Sequence, residues 1–222
     1  MSNIVLKGST SGDVTITVPA QAGTNTVTIP AASGNLPLSN LDHVTNRPNA
    51  KPLIINGDMQ VAQRGTSTTV LLSYKVEAQD LQLLKYGTSS AEAVTLRFHV
   101  RSPKTGTHIV HLYQNDGNRH ISKAYTIDTA DTYQEVIINI EGDTGGTTNN
   151  DNACGLQIEF YLAAGSNSTS GTLATSWAGY TQANSAVGQV NCADNTANNF
   201  FITGVQMEVG EFDANSIAPF QH

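Results

Sequence analysis

The chain has 222 residues; 11 Lys and Arg stand against 18 Asp and Glu, a net charge of −7, and only 13% of residues are charged, about half the ~25% of an average soluble protein. That length suits one large domain, or a domain with an appendage. An acidic balance without a basic run excludes a phosphate-tracking nucleic-acid surface, and no run of about 18 apolar residues exists to cross a membrane. Thr, Ser, Asn and Gly take the place of the Lys and Glu that solubilise helices, which predicts an all-β protein.

In chain order, Met1-Ser-Asn-Ile-Val-Leu-Lys7 lacks the charged start, apolar stretch and small-residue cleavage site of a secretory signal, so a soluble chain that is not Sec-exported is expected. Residues 1–48 read as an N-terminal arm and linker. Asp13-Val-Thr-Ile-Thr-Val-Pro19 and Thr26-Val-Thr-Ile-Pro30 each alternate apolar and polar residues, predicting a β-hairpin across Ala20 to Asn25 with each strand closed by proline. Val14, Ile16, Val18, Val27 and Ile29 are its apolar positions. Two strands alone are marginal in water, so these five are the expected contacts with another copy of the arm or with a larger particle.

Residues 49–222 read as a β-sandwich of jelly-roll type, with short strands separated by Gly, Asn and Asp turns. The strand segments are 93–100, 108–113, 133–140, 156–162 and 200–209. One helix is expected over Glu77 to Lys85, with Gly87 just beyond its last turn as the cap.

Chemistry has few footholds. His108 and His111, three apart on a strand, point to opposite faces and cannot share a metal ion. Gly8-Ser-Thr-Ser-Gly12 has the glycine spacing of a nucleophile elbow, but Thr10 stands where the serine belongs. Glu208 and Glu211 form a carboxylate pair near the chain end, where solvation is the ordinary fate. The chain is therefore read as a non-enzyme without a cofactor or a metal site. The loop Asp143–Asn152 is the sole calcium candidate; lacking the glycine and terminal glutamate of an EF-hand loop, it reads first as a solvated hairpin tip. Cys154 and Cys192 are too few and too far apart for a disulfide scaffold and read first as free thiols, with a disulfide between them as the alternative.

Trp177 and Tyr180, in the polar stretch Thr175-Ser-Trp-Ala-Gly-Tyr-Thr181, are the candidate carbohydrate contacts, because aromatic faces among Ser, Thr and Asn combine stacking with hydrogen bonding. Trp177 has a competing reading as a core plug. With 6% aromatics the sandwich needs its large side chains for packing.

Two segments, Pro52-Leu-Ile-Ile-Asn-Gly-Asp-Met-Gln-Val-Ala-Gln-Arg-Gly65 and Ile202-Thr-Gly-Val-Gln-Met-Glu-Val-Gly210 followed by Ala218-Pro-Phe220, resemble the opening and closing strands of bacteriophage virion proteins of the tail-fibre and minor structural type. Glu77–Leu81, Ser170–Trp177 and Ala186–Asn191 fit the same pattern, and Lys7–Ile16 is similar to arms that start phage fibre proteins. Between the first segment and Glu77 this chain has only Thr66 to Val76, shorter than the family's usual stretch. The resemblance implies a jelly roll similar to carbohydrate-binding modules on a particle-attachment arm, usually a homotrimer, located in the virion and assembled in the host cytoplasm. It implies two roles: a tail-fibre or appendage subunit that binds a host-surface glycan, or a capsid decoration protein. A polysaccharide depolymerase is a distant third, since no solenoid repeat is visible.

Overall fold

A computed structural model of the chain describes residues 3–7, 13–17, 60–61 and 69–220. The chain divides into two compact units, residues 1–40 and 41–222.

In the first unit, β1 (Asn3–Lys7) and β2 (Asp13–Thr17) pair antiparallel, with Ile4 opposite Ile16 and Leu6 opposite Val14. The alternation of 13–17 thus makes a strand, and its described partner is β1; the Thr26–Pro30 segment lies outside the described residues. Period 2 specifies a strand and one of its faces, not the strand across from it. Val18, Val27 and Ile29 lie outside the described residues.

The second unit is an all-β sandwich. Its elements are β3 (Gln60–Val61), β4 (Thr69–Glu77), β5 (Val94–Arg101), β6 (Gly106–Gln114), β7 (Arg119–Ile127), β8 (Gln134–Ile140), β9 (Cys154–Ala164), a one-turn helix α1 (Ser166–Thr169), β10 (Ala178–Gly179) and β11 (Phe200–Val209). All strand pairs are antiparallel, in a five-stranded sheet ordered β10-β7-β6-β9-β4 and a four-stranded sheet ordered β3-β11-β5-β8. The short stretch after Thr66 becomes one full strand, β4, at the edge of the larger sheet.

The layers meet through aromatic rings. Phe98 of β5 stands edge-on to Phe160 of β9 and Tyr125 of β7, each 5.1 Å between centroids, the arrangement that ring quadrupoles favour. Leu96, Leu112, Ile158, Ile202 and Met207 close around them, all buried. Inward Val110 and Leu112 alternate on β6 with Ile109, His111 and Tyr113, which face the other way. On that outer face Ile109, Tyr161 and Ala186 form a second, smaller cluster where residues 165–190 fold back over part of the sheet.

The expected helix is a 3-10 helix, Ala78–Leu84, with Leu81 and Leu84 buried. It sits against β9 at Gly155, where a Cβ would lie 2.7 Å from the Ala78 Cα. The left-handed residue that ends it is Lys85 (φ 53°); Gly87 is also left-handed (φ 82°) but lies two residues on.

In β11 the pairing with β5 shifts between Thr203 and Gln206, and Gly204 there has φ 61°, a conformation that costs glycine least. The extra residue resets the alternation. Ile202 points inward before it and Val205 and Met207 after it, which sends Gln206 and Glu208 to the outer face, where the returning segment before Phe220 buries them.

Candidate functional site

The outer face of the five-stranded sheet carries the densest group of chemically versatile side chains. Cross-strand register places them in rows: Lys75, Gln157, Tyr113 and His120 follow one another across β4, β9, β6 and β7, and Ser73, Glu159, His111 and Ser122 form the next row. The turn Asn115–Asn118 creates this arrangement by folding β7 back on β6, so that His120 lies opposite Tyr113, diagonal to His111.

His111 Nδ1 lies 2.8 Å from Glu159 Oε2, and His111 Nε2 lies 3.1 Å from His120 Nδ1. The Thr181 backbone N–H donates to His120 Nε2 at 3.4 Å. An N–H donated into Nε2 leaves the His120 proton on Nδ1, which donates to His111 Nε2; the His111 proton is then on Nδ1, facing the carboxylate. The bonding pattern therefore assigns both rings as neutral, in a relay running from Thr181 to Glu159. Burial, with the His111 ring beside it, pushes the His120 pKa down to about 4, so the ring stays uncharged through the neutral range.

Three tyrosines frame the relay. Tyr113 stacks over His111 (6.5 Å, 10° between planes), Tyr161 meets His111 edge-on at 6.0 Å, and Tyr180 lies 5.2 Å from His120 and 4.8 Å from Tyr113. Tyr180 is 39% exposed. Its backbone N–H is held by the Asn118 carbonyl at 2.9 Å, and the Tyr113 hydroxyl donates to Asn118 Oδ1 at 2.9 Å. One asparagine, itself left-handed at φ 48°, thus holds the Tyr180 backbone and the Tyr113 ring.

Trp177 belongs to a different cluster. Its ring stands edge-on to buried Tyr86 at 5.7 Å, its Nε1 donates to the Glu141 carbonyl at 2.6 Å, and it packs half-buried against the main core. The two aromatics singled out in the sequence are therefore not brought together. His108 and His111 do face opposite sides of the sheet: His108 lies in the interior, stacked on Tyr125 at 5.6 Å with Nε2 3.1 Å from the Lys104 carbonyl.

The loop Asp143–Asn152 is tied to protein groups. Both carboxylate oxygens of fully buried Asp143 lie 2.9 Å from Arg119 Nε, and Asp143 Oδ1 accepts from Gly145 N–H. Asp116 binds the Asn149 backbone and side chain, and Asp151 accepts from Ala153 N–H. Among the described residues no group of three or more His, Cys, Asp or Glu is placed to hold a metal ion, and no helix is long and apolar enough to cross a membrane. Glu208 is buried and Glu211 exposed, so the two carboxylates share no open site. Cys154 and Cys192 are both free thiols.

No family model matches the chain, and no curated protein does. A chain in the cryo-EM structure of rhinovirus-B5 is similar over 94% of this chain and 100% of that one, at 13% identity and a TM-score of 0.25. A likeness that slight bears on neither fold nor function.

What the sequence reading missed was the relay. Glu159 lies on a strand remote from His111 in sequence, and only the register unites them, whereas His120 follows His111 across a single hairpin. The signal available was the turn at Asn115–Asn118, which makes residues 111 and 120 near neighbours in any tight hairpin.

Proposed function

We propose that this chain is a non-enzymatic structural component of a bacteriophage virion, a tail-fibre or appendage subunit that attaches by its N-terminal arm and presents the sandwich to a glycan on the host surface. The observation that carries the reading is the exposed Tyr180 ring beside Tyr113 on a sheet face that also carries Ser73, Lys75, Gln157 and Glu159. Aromatic faces next to uncharged donors and acceptors suit sugar rings, which offer apolar C–H faces and hydroxyl edges.

Two further features support it. The first unit pairs only two described strands, and a lone pair of strands gains stability by adding its edges to a neighbour. A homotrimer or a socket on the particle would supply that neighbour, and three weak sugar contacts on one trimer would reinforce one another. The segment that resembles the phage closing motif also has a structural use: Gln206 donates to the Ala218 carbonyl at 3.0 Å, and Glu208 accepts from the Ala218 N–H at 3.1 Å.

The test is the copy number and position of the protein on intact particles, by gel densitometry against the major capsid protein and by gold-labelled antibody. A few trimers confined to the tail are expected. Hundreds of copies spread over the head would replace this reading with a capsid decoration protein.

A further inference from the structure

We propose that the strip of Lys75, Gln157 and Tyr113, with Glu159 beside it and Tyr180 as its wall, is the glycan site, and that its ligand is a neutral polysaccharide; this rests on the glycan-binding reading above. The three side chains of the strip project from neighbouring strands on one face. At ~4.8 Å per strand the strip spans about 10 Å, room for more than one sugar ring. Residues 165–190 cover the far end of this face over Ile109 and Tyr161, while Ser73 and Lys75 at the near end are exposed.

The polar groups of the strip retain bonding capacity. Gln157 spends its amide on Asn115 Oδ1 at 3.0 Å, which leaves its carbonyl as an acceptor. Glu159 gives one oxygen to His111, and no described residue donates to Oε1. Lys75 has no carboxylate partner among the described residues. The His111–His120 pair acts here through Glu159: it fixes the carboxylate in one orientation before a ligand arrives, which lowers the entropy lost on binding.

Charge selects the ligand class. Lys75 and Glu159 offset one another, every other group on the strip is neutral, and the chain as a whole carries −7, so an anionic polymer is repelled while an uncharged one is not. The other exposed aromatic, Tyr133, lacks these properties. Arg101 occupies its ring face at 5.9 Å and also lies 5.3 Å from Phe201, and the nearby Arg97 and Glu135 are already paired.

The test uses the full-length protein on an array of neutral and anionic microbial polysaccharides that includes dextran, galactomannan and polygalacturonate. Wild type is expected to bind a neutral member. Tyr180→Ala and Gln157→Ala should bind it about tenfold more weakly, and Tyr133→Ala as well as wild type, with all three variants still unfolding in one cooperative thermal transition. Amide shifts on adding the bound polysaccharide to unmodified protein should cluster at 113, 157, 159 and 180, a readout independent of any substitution. Neutral binding that survives both strip substitutions, with shifts elsewhere, overturns the strip and leaves glycan binding standing. Binding to anionic members alone overturns the ligand class. No binding by wild type to any member overturns the glycan reading itself.

Discussion

Glu208 and Ala218, ten residues apart, are locked together where the chain returns over the four-stranded sheet: a buried glutamate oxygen accepts the Ala218 backbone N–H at 3.1 Å. The same oxygen accepts from the Gln206 amide at 2.5 Å, and that amide also donates to the Ala218 carbonyl. Arg97 Nη1 reaches the carbonyl as well, at 3.2 Å. The closing segment, which has no strand of its own, thereby satisfies its backbone on side chains of β11 and β5. Glu208→Ala should destabilise the fold by about 2–3 kcal/mol, because it strands a buried N–H and amide; Glu208→Gln, which retains an acceptor, should cost less than half of that. Urea unfolding curves of the two variants against wild type measure both.

The His120 environment predicts a pH dependence with a definite sign. Its folded pKa of about 4 lies below the unfolded 6.5, so between those values the unfolded chain binds the extra proton. Stability is complete above pH 6.5 and falls by about 1.4 kcal/mol per unit as pH drops toward 4. Buried His108, also held below its ordinary value by desolvation, acts in the same direction. Chemical denaturation at pH 7.5, 6 and 5 should show the loss, and His120→Asn should flatten it in part while leaving the His108 contribution.

Much of the sandwich was legible because one buried face and one wetter face force period 2. Val94 to Val100 on β5 and Leu156 to Leu162 on β9 show it plainly. β7 escaped because Lys123 interrupts its apolar set of Ile121, Tyr125 and Ile127; the ammonium escapes by reaching Glu141 and the Thr175 carbonyl. Of the two aromatics, Tyr180 lies beside the histidine relay, whereas Trp177 packs on Tyr86, since the two are three residues apart on either side of the short strand β10. Strand partners fix Glu159 under His111, and strand order does not follow from alternation.

Asp143 and Arg119 predict the response of the loop Asp143–Asn152 to calcium. With both carboxylate oxygens 2.9 Å from a guanidinium nitrogen and no exposure to solvent, Asp143 would have to give up a buried ion pair to take a cation. Thermal unfolding should therefore be the same in millimolar calcium and in a chelator. Asp143→Ala should cost about 3–5 kcal/mol, since it leaves a partly buried guanidinium without its partner. A calcium-dependent rise in midpoint would show that the loop rearranges around the ion.

Cys192 lies buried beside the small cavity lined by Val70, Leu162 and Phe200, and burial pushes its thiol up to about 11 despite the hydrogen bond with Ser102 and the charge of Lys104. The thiolate is the reactive form, so at pH 8 the native thiol should react with an aromatic disulfide reagent about a hundredfold more slowly than the same cysteine in denaturant. Half-buried Cys154 is also raised by desolvation, and its sulfur sits 3.6 Å from Asn115 Oδ1 and from the Leu156 carbonyl. It should react before Cys192 but still below the unfolded rate. Two kinetic phases in native protein, collapsing to one fast phase in urea, are the expected record. A Cys192 rate equal to the unfolded one would mean that the strands around the cavity open in solution.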